Sequence, residues 1–157
     1  MIVRSLELEG FRNYDRLAAE FHPQVNLIYG DNAQGKTNLL EAIAYLSSAR
    51  SHRARYDREM IGMDRTAAHI RGTIESRGRT FVVEAQLARG RTRKLFSNGV
   101  RLKNAGELAG VLNTVLFCPG PVSYPGGGRR PAAVSGQRHL SAPPPVRPSP
   151  GGIRPIV

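Results

Sequence analysis

Apolar and polar positions alternate at the start of the chain. In "IVRSLELE", residues 2–9, Ile2, Arg4, Leu6 and Leu8 stand against Val3, Ser5, Glu7 and Glu9, close to the period-2 pattern of a half-buried strand. Gly10 then permits a turn. "RLAAEF", residues 16–21, is a weaker strand, and Pro23 stops it before "VNLIY", residues 25–29, a short apolar run suited to an interior strand. The period then changes. From Lys36 to about Ser48, Leu39, Leu40, Ile43 and Leu46 recur at helical spacing and predict a helix with one apolar stripe. "SSARSHRARYDREM", residues 47–60, has no such pattern and reads as a basic connection.

Strand patterns return with "AAHIRGTIES" and "RTFVVEAQLA", followed by "TRKLFS" and "VRLK" on either side of Asn98-Gly99. An Asn-Gly pair between two such runs is a strong hairpin signal, because both residues accept the positive φ of a type I′ turn. These segments predict an antiparallel meander. "AGELAGVLN", residues 105–113, predicts a short helix with Leu108, Val111 and Leu112 inward, and "TVLFC" a further buried strand. Residues 119–157 differ in texture: they hold 10 of the 11 prolines and 7 of the 17 glycines, with no periodic apolar pattern. Such a segment buries too little to offset its ordering entropy, so a disordered Pro/Gly/Arg-rich tail is expected there.

Between the apolar run 25–29 and the helix lies Gly30-Asp31-Asn32-Ala33-Gln34-Gly35-Lys36-Thr37, which fits G-x-x-x-x-G-K-[ST] at every fixed position. Glycines let main-chain N–H groups curl around a β-phosphate, the lysine reaches β and γ oxygens, and the final hydroxyl ligates Mg²⁺. The following helix adds the partial positive charge of its N-terminus. Asp31 and Asn32 fit a role in shaping the loop through side-chain-to-backbone bonds. The spacing therefore predicts a nucleotide-binding α/β unit.

Length and charge narrow the class. With 157 residues there is room for about one domain, and 23 Lys+Arg against 12 Asp+Glu give a net charge of +11, which favours a polyanionic partner such as nucleic acid. All the acids lie within residues 1–118, while the last 39 residues carry five arginines and no acid. Cys118 is the only cysteine, so no intrachain disulfide forms and a reducing compartment is expected. "MIVRSLELEG" lacks the apolar core of a secretory signal, and no segment approaches the ~20 apolar residues that span a bilayer. A cytoplasmic protein without membrane association is the expectation. His52 and His69 lack spaced Cys or His partners for a metal.

The only lysines are Lys36, Lys94 and Lys103, and none is followed two residues later by Asp, which removes the base-reading motif of a small GTPase. A small P-loop kinase and a basic DNA-binding module independent of nucleotide both remain open. For DNA contact the candidates are Arg50, His52, Arg53 and Arg55 in "ARSHRARY" and Arg91, Arg93 and Lys94 in "RGRTRK", since arginines on loops neutralise phosphates without reading sequence.

"MIVRSLELEGFRNYDRLAAEF" followed by "VNLIYGDNAQGKTNLLEAIAYLSSARSHR" resembles the amino-terminal part of the bacterial RecF recombination-repair proteins, relatives of the SMC ATPase heads. The resemblance covers residues 1 to about 119 and includes "NGV" at 98–100 and "VLFCP" at 115–119. It implies the N-terminal lobe of an ABC-type P-loop ATPase head, with a mixed β-sheet around the P-loop helix plus the meander. It further implies ATP and Mg²⁺ held by Gly30 to Thr37, with Thr37 on the metal, Asn38 at the helix start and Arg12 near the nucleotide. The family binds DNA at single-strand gaps in an ATP-dependent way, works with RecO and RecR in repair and the SOS response, and forms an ATP-dependent homodimer.

Two parts of such an ATPase are missing from the pattern. The aspartates are Asp15, Asp31, Asp57 and Asp64, and only "MIGMD" before Asp64 is loosely apolar, with an internal glycine that makes it a poor strand. "VSGQRH", residues 134–139, only faintly echoes a serine signature loop. The resemblance ends abruptly at Pro119-Gly120, and an acid-free continuation rich in Pro, Gly, Arg and Ser reads as out-of-frame translation of GC-rich DNA, with a natural truncated variant carrying a disordered basic tail as the alternative. Weak ATP binding at best, with negligible hydrolysis, is the expectation for this chain.

Overall fold

Alternating burial begins at the second residue. Ile2–Phe11 form β1, whose Leu6 and Leu8 are buried while Glu7 and Glu9 lie on the opposite, solvated face. The computed structural model describes residues 1–108, 110–117 and the backbone of 153–155. Strand β2, Tyr14–Glu20, returns antiparallel through the two-residue turn Arg12-Asn13 and starts two residues before the predicted run. Gly10 is therefore not the turn. It lies inside β1 at φ 60°, and a Cβ there would sit 2.6 Å from the Ala67 carbonyl oxygen.

Strand β3, Asn26–Ile28, is shorter than expected and stands outside the main sheet. Helix α1 then spans Lys36–Ser48, as the period predicts, and ends at Ala49, whose N–H donates to the Tyr45 carbonyl. A 3-10 turn, Asp57–Met60, closes the basic connection. Strands β4, Ala67–Ser76, and β5, Arg79–Ala88, match the predicted runs residue for residue, joined by Arg77-Gly78 with both residues at positive φ. Strands β6, Lys94–Ser97, and β7, Val100–Arg101, flank Asn98-Gly99, again with both φ positive, as a type I′ hairpin requires.

Six strands form one sheet in the order β2-β1-β4-β5-β6-β7, and every pairing among the described strands is antiparallel. Of the head expected from the resemblance, the described residues thus hold the antiparallel lobe and the P-loop helix. Leu8 pairs with Ile70 and Ile70 with Ala85, so one sheet face carries a continuous apolar layer. Leu39, Ala42, Tyr45 and Leu46 of α1 close the core against it. The other face is a ladder of charge: Glu7 pairs with Arg71 and Arg71 with Glu84, while His69 Nε2 lies 3.2 Å from Glu84. Exposed ion pairs of this kind contribute little.

Three expectations fail locally. Leu40 is exposed, because the buried face of α1 runs through Ala42 and Tyr45 instead. The helix at 105–113 shrinks to a 3-10 turn, Ala105–Leu108, and Gly110 at φ 87° stops its continuation; Leu108 and Leu112 are nevertheless buried. "TVLFC" has no strand partner over its described residues, and Val115 and Phe117 are exposed at 82% and 89%. Cys118, "VSGQRH" and the expected disorder of the tail lie outside the described residues, save that Ile153–Pro155 form β8, antiparallel to β3.

The position of Gly10 yields a stability test. Gly10→Ala forces an alanine into positive φ against a backbone carbonyl, and should cost roughly 2 kcal/mol or more. Thermal unfolding of the two chains should differ by ~8 °C or more, at the ~4–8 °C per kcal/mol usual for a small domain.

Candidate functional site

The glycine loop joins the end of β3 to the start of α1. Gly30 (φ 143°), Ala33 (φ 67°) and Gly35 (φ 98°) bend it away from extended backbone, so that it doubles back over the helix N-terminus. Gly35 is buried, and a Cβ there would lie 2.8 Å from the Asn13 amide and 2.9 Å from the Tyr14 ring. Only glycine satisfies both the dihedral and the contact. The Lys36 ammonium donates to the carbonyl oxygens of Gly30 (2.7 Å) and Asp31 (2.5 Å), which ties the lysine across the loop. Asp31, Asn32, Ala33, Gln34 and Thr37 face solvent. No side chain caps α1 and no acid sits in its first turn, leaving the N-terminal partial charge available to an anion. A groove of about 790 Å³, lined by Tyr14, Phe21, Ile28, Tyr29 and Lys36 among others, adjoins the loop.

Beneath the loop lies a residue that the sequence reading passed over. Glu41 is the only charged side chain of α1 beyond Lys36, and it is fully buried. The Arg12 guanidinium grips it with two donors, Nε to Oε2 at 2.9 Å and NH2 to Oε1 at 2.7 Å, and gives a third to the Glu59 carbonyl at 2.8 Å. Ser51 Oγ donates to Glu41 Oε1 and accepts from the N–H groups of Arg53 and Ala54. Arg53 stands 3.8 Å from the carboxylate and donates to Asn38 Oδ1 at 2.8 Å; Asn38 in turn donates to Asn13 Oδ1 at 2.8 Å. Burial pushes the Glu41 carboxyl up, but the hydrogen bonds from Arg12 and Ser51 and the charges of Arg12 and Arg53 outweigh it and hold it below the usual carboxylate range. The only sequence signal was a lone acid inside "LLEAIAYL".

Of the basic candidates, Arg50, Arg55, Arg91 and Lys94 are exposed, with Arg55 stacked 5.5 Å from the Tyr56 ring centre. Arg93 is half-buried and donates to both oxygens of Asp57 at 3.2 Å, while the buried Tyr45 hydroxyl donates to the same carboxylate at 3.1 Å. Burial and the Asp57 charge push the Tyr45 phenol up. This cluster ties Arg93 to the 3-10 turn that follows the first basic stretch, whereas Arg91 and Lys94 line a groove with Glu9, His69 and Gln86. His52 presents no accessible nitrogen: both ring nitrogens are covered and without partners, and burial pushes its pKa down. Asp64 lies in an exposed turn and ends no strand. Among the described residues no cluster of acids, Cys or His has metal-ligand geometry, and no helix is long and apolar enough to cross a membrane.

Residues 2–130 match the family model of the RecF/RecN/SMC N-terminal domain. The chain is 43% identical over 119 residues to the DNA replication and repair protein RecF of Lachnospira eligens, covering 76% of this chain and 33% of that one. It is 42% identical over 123 residues to the protein of the same name from Lachnoclostridium phytofermentans. Its fold is similar to a solved structure of the recombination mediator protein RecF-ATP in the RecFOR pathway, with a TM-score of 0.71 and 37% identity over 74% of this chain and 32% of that one. An SMC ATPase structure at 20% identity and TM-score 0.64 shares the fold. The chain spans about a third of the length of the RecF relatives it matches.

The depressed Glu41 carboxyl fixes a pH dependence. Its stabilising contribution is complete above the unfolded-state value of ~4.3 and is lost as pH falls through the lower folded-state value. Urea midpoints measured from neutral pH downward should therefore drop below about pH 4.3. Glu41→Gln should remove that part of the drop and, by leaving the half-buried Arg12 without its counter-ion, lower stability at pH 7 by up to about 3 kcal/mol.

Proposed function

The chain belongs to the RecF/RecN/SMC N-terminal domain family, and from that premise we propose that it is the ATP-holding amino-terminal portion of a RecF-type DNA replication and repair protein. One observation carries the reading: a buried Gly35 at φ 98° turns the loop onto an uncapped helix N-terminus, with the Lys36 ammonium already drawn to the loop's own carbonyl oxygens. Those carbonyls stand in for phosphate oxygens, to which the ammonium would transfer. Main-chain N–H groups from Gly30 to Thr37 would hold the phosphates, and the exposed Thr37 hydroxyl would ligate Mg²⁺. Arg12 contributes by holding the Asn13-Tyr14 turn over Gly35, since three of its donors are engaged by Glu41 and Glu59.

DNA is the polyanionic partner in this reading. Arg50, Arg55, Arg91 and Lys94 are exposed, and exposed cations of this kind suit phosphates and are indifferent to base sequence. A cytoplasmic location, partners of the RecO and RecR type and an ATP-dependent homodimer belong to the whole protein. Hydrolysis by this chain is negligible in our reading, because Asp64, the one aspartate after a loosely apolar run, sits in an exposed turn and not at a strand end. We read 119–157 as an out-of-frame continuation; sequencing the gene would refute this if the alternative frame after codon 119 restored no acidic, helix-patterned segment.

Titration of the purified chain with labelled ATP and Mg²⁺ should give saturable binding that Lys36→Ala weakens by at least about tenfold, the loss of one charge-assisted phosphate contact. Binding unaffected by that change would refute the reading. A duplex with a single-strand gap should bind with an affinity that falls steeply with salt, and Arg50→Ala or Arg91→Ala should weaken it equally for unrelated sequences.

A further inference from the structure

We propose that Glu41 is a positioning residue for the phosphate loop: from inside α1 it fixes Arg12 and Ser51–Arg53, and through them the Asn13 and Asn38 side chains that bracket Gly35, Lys36 and Thr37. The inference rests on the ATP reading and deepens it. Glu41 is not itself a ligand for a nucleotide. It is fully buried, a carboxylate repels phosphates, and both its oxygens are occupied by Arg12 and Ser51.

Its influence runs along two arms. Arg12 is a non-glycine residue at φ 56°, a conformation that persists where surrounding contacts over-determine it, and the two-pronged grip of Glu41 supplies those contacts. The next residue, Asn13, covers Gly35. On the second arm, Ser51 Oγ accepts from the N–H groups of Arg53 and Ala54 while donating to Glu41, which curls the chain so that Arg53 reaches Asn38. The Asn38–Asn13 bond joins the arms, and the closed circuit passes on both sides of the first turn of α1. A site held this way meets its ligand preorganised.

Charge and positioning predict opposite signs. As a charge near the loop, Glu41 opposes phosphate binding, so neutralising it would tighten ATP. As a positioning residue, its loss frees both arms and weakens ATP. Glu41→Gln retains size and removes the charge, and therefore separates the two.

The test compares the full wild-type chain with Glu41→Gln and Ser51→Ala by two measurements. Amide hydrogen exchange without nucleotide should accelerate in Glu41→Gln over residues 12–14, 30–38 and 51–55 by more than the global loss of stability accelerates it in β4 and β5. ATP titration of the same protein should show binding weakened about tenfold, the lower end of the loss seen when outer-shell partners of a metal's ligands are removed. Unchanged exchange in those segments, or ATP affinity that is unchanged or tighter, overturns the proposal. If Glu41→Gln does not fold, Ser51→Ala decides: it keeps the carboxylate and Arg12 and should loosen 51–55 and 30–38 but not 12–14, and weaken ATP; no change in either overturns it. Should the wild-type chain bind no ATP, the nucleotide reading fails, and exchange over 30–38 alone decides whether Glu41 organises the loop.

Discussion

A carboxylate buried inside a helix is the constraint on which the rest of this structure turns. Moving Glu41 out of water costs several kcal/mol, and an apolar side chain at that position would fill the same space without the cost. What the charge adds is direction. Arg12 can satisfy the carboxylate only with its guanidinium in one plane and one place, and Ser51 only with its loop curled in one way. Three segments far apart in the chain, around residues 12, 41 and 51, are thereby fixed to one another at the base of the glycine loop. Apolar packing alone, which tolerates slippage, would not set those positions.

The same economy explains the fate of the arginines. In sequence, 50–55 and 89–94 look alike, as basic runs on loops. In the fold Arg93 turns inward to Asp57 and Tyr45, and Arg53 reaches to Asn38, while Arg50, Arg91 and Lys94 make no ion pair among the described residues. Some arginines therefore hold the loops so that others can point outward. A charge run read from sequence gives the sign of the surface but not this division of labour, since the division depends on which acids the fold brings within reach.

Legibility followed the range of the interactions. The spans of β4, β5 and α1 and the hairpin at Asn98-Gly99 were readable because period and turn chemistry act over a few residues. The glycine loop was readable for the same reason, its geometry being set between a strand and the helix that follows. Gly10 was misread as a turn because its positive φ serves a contact with Ala67, 57 positions along the chain. Leu40 was placed inside because the stripe was drawn for a helix covered on one side. The connection 50–60 covers a second side, which is how Glu41 and Tyr45 become buried and Leu40 does not.

The long-range terms also explain why the cradle is clear and the chemistry is not. A phosphate loop needs about ten consecutive residues, whereas hydrolysis needs an acid and a signature loop brought in from distant segments. The apolar residues show the same division. Val25 just before β3 and Leu27 within it, and Val115 and Phe117 after the last core residue, carry the composition of interior strands but are exposed. Each forgoes the ~1.5–3 kcal/mol that burial of such a side chain contributes. All four lie in segments whose pattern predicts burial, so their exposure marks surface that the described residues do not cover. Exposed apolar surface of this kind favours self-association.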